Sequence, residues 1–285
     1  MRIKRLAQMQ PVVMLMGGRI SPVDECLAVF LRQAGGAGAR VAILPTACDN
    51  PQVVHAYAKG LLLLGLRHLP FILPIWERAQ AEDRILLRIL SHINGLLILG
   101  GDVARLLSVV QGSRLHHALQ QAINNGAVIA GISAGAAALG TIVLYSVLRL
   151  DVPGYWRPGL GLLSNTIIVP HFRQRRRQMI LMRVLMQFPA WVGLGIDEAT
   201  AALINGEGIH SIGSGWVTLM ATDALPLHQL GRSLPWMIHL HPGQSLTWDA
   251  VPVQSLPMII DNRKPCRRLP PVTGTADVMF HFFKQ

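Results

Sequence analysis

Ser133 stands in Gly131-Ile132-Ser133-Ala134-Gly135, a match to G-x-S-x-G. A serine hydroxyl is a weak nucleophile at neutral pH. It needs a base, and the base needs an orienting partner. Of the eleven histidines, His171 has the best setting, directly after an apolar strand and before a basic stretch. His116, His117, His210 and His228 read as surface residues. His239 and His241 can share one strand face, but two such ligands alone do not make a metal site, and neither a metal nor a cofactor is expected. For the carboxylate, Asp197-Glu198 again follows an apolar strand. The chain has only fifteen acidic residues, so two at a strand end stand out, although a helix or turn cap would use them equally well. Cys48 is a weaker candidate nucleophile, since no base can be assigned to it.

The elements around the serine fit that chemistry. Val128-Ile129-Ala130 is a short apolar run that predicts a buried parallel strand, and Ala136-Ala137-Ala138-Leu139 are strong helix formers. Strand, sharp turn and helix form the context in which G-x-S-x-G carries a nucleophile. In that setting the backbone N–H of Ala134, at the new helix's start, would face a reacting carbonyl. A plain glycine-rich turn with Ser133 as a helix cap is the competing reading. A membrane span over residues 126–148 is countered by four glycines and two serines there.

The first half alternates strand and helix. Strands are predicted at Pro11–Met16, Arg40–Leu44, His68–Leu73, Gly95–Leu99 and residues 128–132. Helices are predicted at Asp24–Gln33, with Ser21 or Asp24 as cap, and at Val53–Leu64, Ala79–Ser91, Val103–Val110 and Ser113–Asn124. This order implies a mostly parallel sheet covered by helices on both faces. Ligands of such sheets bind beyond the carboxyl ends of the strands, where Gly17-Gly18, Thr46–Cys48, Gly100–Asp102 and Ser133 all fall. The second half is less regular. Asp151–Gly161 reads as a loop, Thr166–Val169 and Gly193–Ile196 as strands, and Arg175–Gln187 as a helix. Short antiparallel strands are expected at Ala201–Ile204, Gly208–Ile212 and Trp216–Leu219. One domain over 1–250 is expected, with 251–285 as a tail packed on its surface.

Composition narrows the class. The chain is 51% hydrophobic and 14% charged over 285 residues, which excludes global disorder and suits a covered parallel sheet. The net charge of +11 points to an anionic partner, and part of it clusters at Arg173–Arg177. No nucleic-acid motif accompanies it, so no nucleic acid is expected. Cys26, Cys48 and Cys266 are odd in number without CxxC spacing, so a reducing, cytoplasmic setting is expected. No membrane association is expected, and a homodimer is the expected assembly.

Four blocks in order, GGDVARLL, GISAGAAALG, HFRQRRR and GLGIDEATAALI, resemble the serine peptidase family of cyanophycinases and dipeptidase E. The resemblance covers about residues 10–250. It implies an α/β/α sandwich, flavodoxin-like and related to class I glutamine amidotransferases, and cleavage of peptide bonds next to aspartyl residues. It implies Ser133 as nucleophile, His171 as general base and Glu198 as orienting acid. Gly101 and Ala134 would supply oxyanion-hole N–H groups, and Arg175 and Arg177 match two of the family's three spaced arginines, which bind substrate. The chain departs from the family pattern in four places. Val169-Pro170 stands for Asp-Gln before the histidine, Val103 for Gln after Gly-Gly-Asp, and Ile180 for the third arginine. The expected function is hydrolysis of a small peptide or amide through an acyl-enzyme. The alternative is a catalytically silent ligand- or anion-binding protein on the same fold.

Overall fold

The computed structural model describes residues 11–144, 156–188, 191–222 and 235–248. The expected tail at 251–285, His228 and Cys266 lie outside the described residues. Strands β1 (Val13–Met16), β2 (Val41–Leu44), β3 (Phe71–Ile72), β4 (Gly95–Ile98) and β5 (Val128–Ile132) pair in parallel in the order β1-β5-β4-β2-β3. Four of these five strands are buried along their whole length, as strands covered on both faces must be. Alternate side chains divide between two cores. Val13 and Leu15 face α4 (Val103–Val110), α5 (Arg114–Asn124) and α6 (Ala134–Ala138). Met14 and Met16 face α1 (Glu25–Gln33) and α2 (Pro51–Leu63). This is the expected α/β/α sandwich.

The helices start where side-chain oxygens can satisfy free N–H groups. Asp24 caps α1, Asn50 caps α2 ahead of Pro51, Asp102 caps α4 and Ser113 caps α5. The helix expected over Ala79–Ser91 is instead three short pieces, with α3 confined to Arg84–Leu87. Asp83 has an extended backbone, and its carboxylate accepts from the N–H groups of Ile85 and Leu86. That start-of-helix geometry interrupts the run.

The second half holds more order than its sequence suggests. Three antiparallel strands, β10 (Thr200–Ile204), β11 (Gly208–Gly213) and β14 (Ser245–Thr247), extend the first sheet beyond β1. A second sheet runs β13-β12-β9-β8-β6-β7. It contains β6 (Ile142–Leu144), β7 (Trp156–Pro158), β8 (Thr166–Pro170), β9 (Val192–Ile196), β12 (Val217–Thr222) and β13 (Pro235–Leu240). Residues 156–158, expected in a loop, form the edge strand β7, where Pro158 removes no needed donor. Ile168, Leu194 and Leu219 of this sheet share one core with Leu15 and Ile98 of the first. Ile167 and Val169 face the opposite way, onto α7 (Gln178–Leu185). The two sheets thus share one core with α4, α5 and α6, and the turn from β9 to β10 links them.

Candidate active site

Ser133 lies between β5 and α6 with φ 50° and ψ −110°, a strained backbone for a residue with a side chain. Its N–H donates to the carbonyl of Met16 at 2.9 Å. The flanking glycines admit this turn through close approach. A Cβ on Gly131 would lie 2.6 Å from the nitrogen of Ala136, and one on Gly135 would lie 2.4 Å from the carbonyl oxygen of Ile98. The Gly100–Gly101 turn packs beside the serine, since a Cβ on Gly100 would stand 3.1 Å from Ser133 Cβ.

His171 and Glu198 come from the other sheet. β8 and β9 are parallel neighbours whose last paired residues are Pro170 and Ile196, so both chains leave the sheet on the same side. Ser133 Oγ stands 2.8 Å from His171 Nε2, and His171 Nδ1 stands 2.8 Å from Glu198 Oε1. The tautomer that serves both contacts carries its proton on Nδ1 and accepts from the serine on Nε2. His171 is 8% exposed. Burial lowers its pKa, with Arg175 and Arg177 acting in the same direction and the bond that it donates to Glu198 opposing. The net effect favours the neutral ring, the form that a general base requires. Glu198 also meets Arg19 Nε at 3.1 Å through its second oxygen, and its N–H donates to Gln174 Oε1 at 3.2 Å.

Asp197, the other candidate acid, points elsewhere. It is fully buried and bonded to Arg173 and Trp216. The basic segment is not a helix where it meets the site, because Arg176 has φ 50° and α7 starts only at Gln178. Arg175 and Arg177 therefore sit on the turn after His171. Arg177 donates to the carbonyl of Pro170 at 2.8 Å, while its Nε is buried with no hydrogen-bond partner. Burial and then Arg175 lower its pKa to about 10. Among the described residues no carboxylate ion-pairs with Arg175, Arg176 or Arg177. The result is a concentration of uncompensated positive charge beside the histidine.

Residues 13–212 match peptidase family S51. The chain belongs to this family. It is 30% identical over 218 residues to a cyanophycinase from Synechococcus elongatus, a match covering 73% of this chain and 67% of that one. Solved structures of other proteins share its fold, these two among them. One is a peptidase from an acI-B1 actinobacterium, with TM-score 0.65 and 20% identity over 84% of this chain and 98% of the other. The second is a putative peptidase E from Listeria monocytogenes EGD-e, with TM-score 0.52 and 17% identity over 72% and 98%. The fold is the flavodoxin-like α/β type of these peptidases, and family S51 membership makes the chain a serine-type peptidase.

The remaining sequence candidates lie apart from the serine–histidine–carboxylate chain. Cys48 is buried, with its thiol directed to the Asn50 carbonyl. His116 is a half-buried tie whose Nε2 bonds the Leu160 carbonyl at 2.6 Å, rather than a free surface residue. His239 and His241 both pack on Trp216. Arg19, Gln174, Arg173 and Trp216 had no assigned part in the sequence reading. Their places depend on chain segments that meet only in the fold. Val169 and Ile180 are 2% and 6% exposed and turn away from solvent, Val169 into the core beneath α7.

Proposed function

We propose that the chain hydrolyses a small peptide or amide through an acyl-enzyme on Ser133. The supporting observation is the unbroken pair of 2.8 Å contacts from Ser133 through His171 to Glu198. As Ser133 Oγ attacks the carbonyl carbon, His171 Nε2 takes its proton. Glu198 holds the ring and stabilises the imidazolium. Negative charge on the carbonyl oxygen meets the N–H groups of Ala134 and Gly101. His171 then protonates the leaving amine, which departs. Water, deprotonated by the same nitrogen, attacks the acyl carbon and releases Ser133.

The substrate in this reading carries a carboxylate near the scissile bond, as aspartyl and β-aspartyl compounds do. Among the described residues Arg175 and Arg177 have no acidic partner, and they would pair with it. Cyanophycin, which also carries guanidinium groups, should be a poor substrate. At the family's polar positions the chain has Val103, Val169, Pro170 and Ile180, and the Pro170 carbonyl is already bonded to Arg177. The test compares β-aspartyl dipeptides, α-aspartyl dipeptides and cyanophycin on wild type and Ser133→Ala. The variant should fold and lose at least ~10³-fold in kcat. Near-normal turnover by a folded Ser133→Ala protein would remove the triad from consideration. Cyanophycin turned over as fast as the dipeptides would refute the substrate assignment.

A further inference from the structure

The proposed triad leaves one buried carboxylate unused. Asp197 is 0% exposed and immediately precedes Glu198. Its Oδ1 accepts from the Arg173 backbone N–H at 3.1 Å. Its Oδ2 accepts from Arg173 Nε at 2.5 Å and from the Trp216 backbone N–H at 2.9 Å. The Arg173 guanidinium lies 3.8 Å from the centre of the Trp216 ring, and Trp216 packs against His241 at 4.5 Å. Arg173 is therefore held both edge-on by the carboxylate and face-on by the indole.

The position of this network gives it a purpose. Arg173 is two residues beyond His171, and Asp197 is one residue before Glu198. The parallel ladder between β8 and β9 ends at Pro170 and Ile196, so it does not set the spacing of the two turns that follow. One backbone bond continues past the ladder, from Phe172 N–H to the Ile196 carbonyl at 3.1 Å. Asp197 supplies the next connection by side chain and ties both turns to the start of β12. A fully satisfied polar network of this kind rigidifies what it joins. The other described contacts made directly between the two turns are the His171–Glu198 bond and the exposed contact from Gln174, while the Gly17 and Gly18 carbonyls hold the His171 and Ala199 N–H groups from the β1 side.

We propose that Asp197 is a positioning residue, whose carboxylate, locked to Arg173 and Trp216, holds the His171 turn within hydrogen-bonding distance of Glu198. This rests on the triad reading above, and the two fail separately. The groups that face His171 are Ser133 from the β5 turn, Arg175 and Arg177 from its own turn, and Glu198 from the β9 turn, which carries Arg19 on its far oxygen. In Asp197→Asn the amide can still accept from the Arg173 N–H. Its NH₂ would instead confront the N–H groups of Arg173 and Trp216, and the turns would separate. His171 then loses part of the Glu198 bond, the contact that raises its proton affinity.

The experiment measures the rate of Ser133 acylation by a fluorophosphonate between pH 4 and 9, with thermal melting of the same samples. In Asp197→Asn the plateau rate should fall by about 10²-fold, the cost of misplacing a reacting group by ~1 Å. The acid limb should move to lower pH, while the fraction labelled at saturation stays at the wild-type level. Arg173→Gln, which keeps the backbone bond to Asp197, serves if Asp197→Asn does not fold. It should shift both readouts in the same directions by less. Wild-type rate and limb in either folded variant would overturn the proposal, and so would a slower rate with an unmoved limb, which is the mark of a purely structural residue. Failure of the wild-type protein to label would overturn the triad reading itself.

Discussion

His171 owes its protonation behaviour to its surroundings. Burial lowers its pKa below the ordinary imidazole value of ~6.5, Arg175 and Arg177 add to this, and Glu198 opposes. The base should therefore stay neutral at lower pH than a free imidazole. The acid limb of kcat/KM is expected below ~6.5, and a limb above ~7 would show that Glu198 outweighs burial. Stability follows the same sign. Between the folded and unfolded pKa values the native state binds fewer protons than the unfolded chain, so the contribution of His171 is fully present above the unfolded value. It declines as pH falls toward the folded one. Urea unfolding of wild type and His171→Gln across that window would isolate it. Arg175 admits a separate test. If it pairs with a substrate carboxylate, Arg175→Ala should lower kcat/KM by about 1.5–3 kcal/mol, the worth of a hydrogen bond to a charged group. Amidating the substrate should then cost the variant little more. Fully additive losses would show that the two groups never meet.

Among the elements, the turns carry the residues of the proposed triad and the strands aim them. Three of the residues with side chains that hold φ near 50° are Ser133 and His171, directly after β5 and β8, and Ala199, on the turn between β9 and β10. Neighbouring backbone pins each: Met16 O takes the Ser133 N–H, Gly17 O the His171 N–H at 2.8 Å, and Gly18 O the Ala199 N–H at 2.9 Å. The Gly17–Gly18 turn after β1 is thus the backing of the site. Gly18 has φ 110°, and a Cβ there would lie 2.2 Å from His171 Cε1. Gly18→Ala should push the imidazole aside and cost about 10²-fold in kcat. Gly135→Ala meets backbone instead, the Ile98 carbonyl at 2.4 Å. It should destabilise by about 1–3 kcal/mol or more, the usual cost of overpacking. Kinetics and melting curves on both variants would test the contrast. A Gly18→Ala protein with wild-type kcat would mean that the ring relaxes without loss.

For the molecule as a whole, the net charge of +11 adds a long-range field to the local cluster around His171. Anionic substrates should be steered inward at low salt and less so once screening shortens the field to about 3–10 Å. The kcat/KM for an aspartyl dipeptide should fall at least about twofold between 0.02 M and 0.5 M salt. The value for an amidated, uncharged analogue should stay level. Equal salt dependence of the two would locate the positive field away from the site.

Much of this protein is decided by local residue order. Alternating apolar strands and capped helices determine the first sheet, because buried strands and amphipathic helices have periods that any window of sequence displays. The serine turn is equally local, since Gly131, Ser133 and Gly135 meet within one bend. His171 and the Asp197-Glu198 pair could be nominated because each follows an apolar strand. The residues by themselves left open which carboxylate turns inward; the family resemblance implied Glu198, and the tertiary structure supplies the physical reason, with Glu198 against His171 and Asp197 turned away. Asp197 and Glu198 are adjacent and chemically alike, and they part because Trp216 and Arg173 take one while His171 and Arg19 take the other. Those partners come from distant segments, and no sequence spacing encodes such encounters. The second sheet was hidden for a similar reason. Its parallel core is three strands wide and bordered by antiparallel ones, so its pattern blends two periodicities. The serine and its histidine therefore come from different sheets, brought together by the apolar core that both sheets bury.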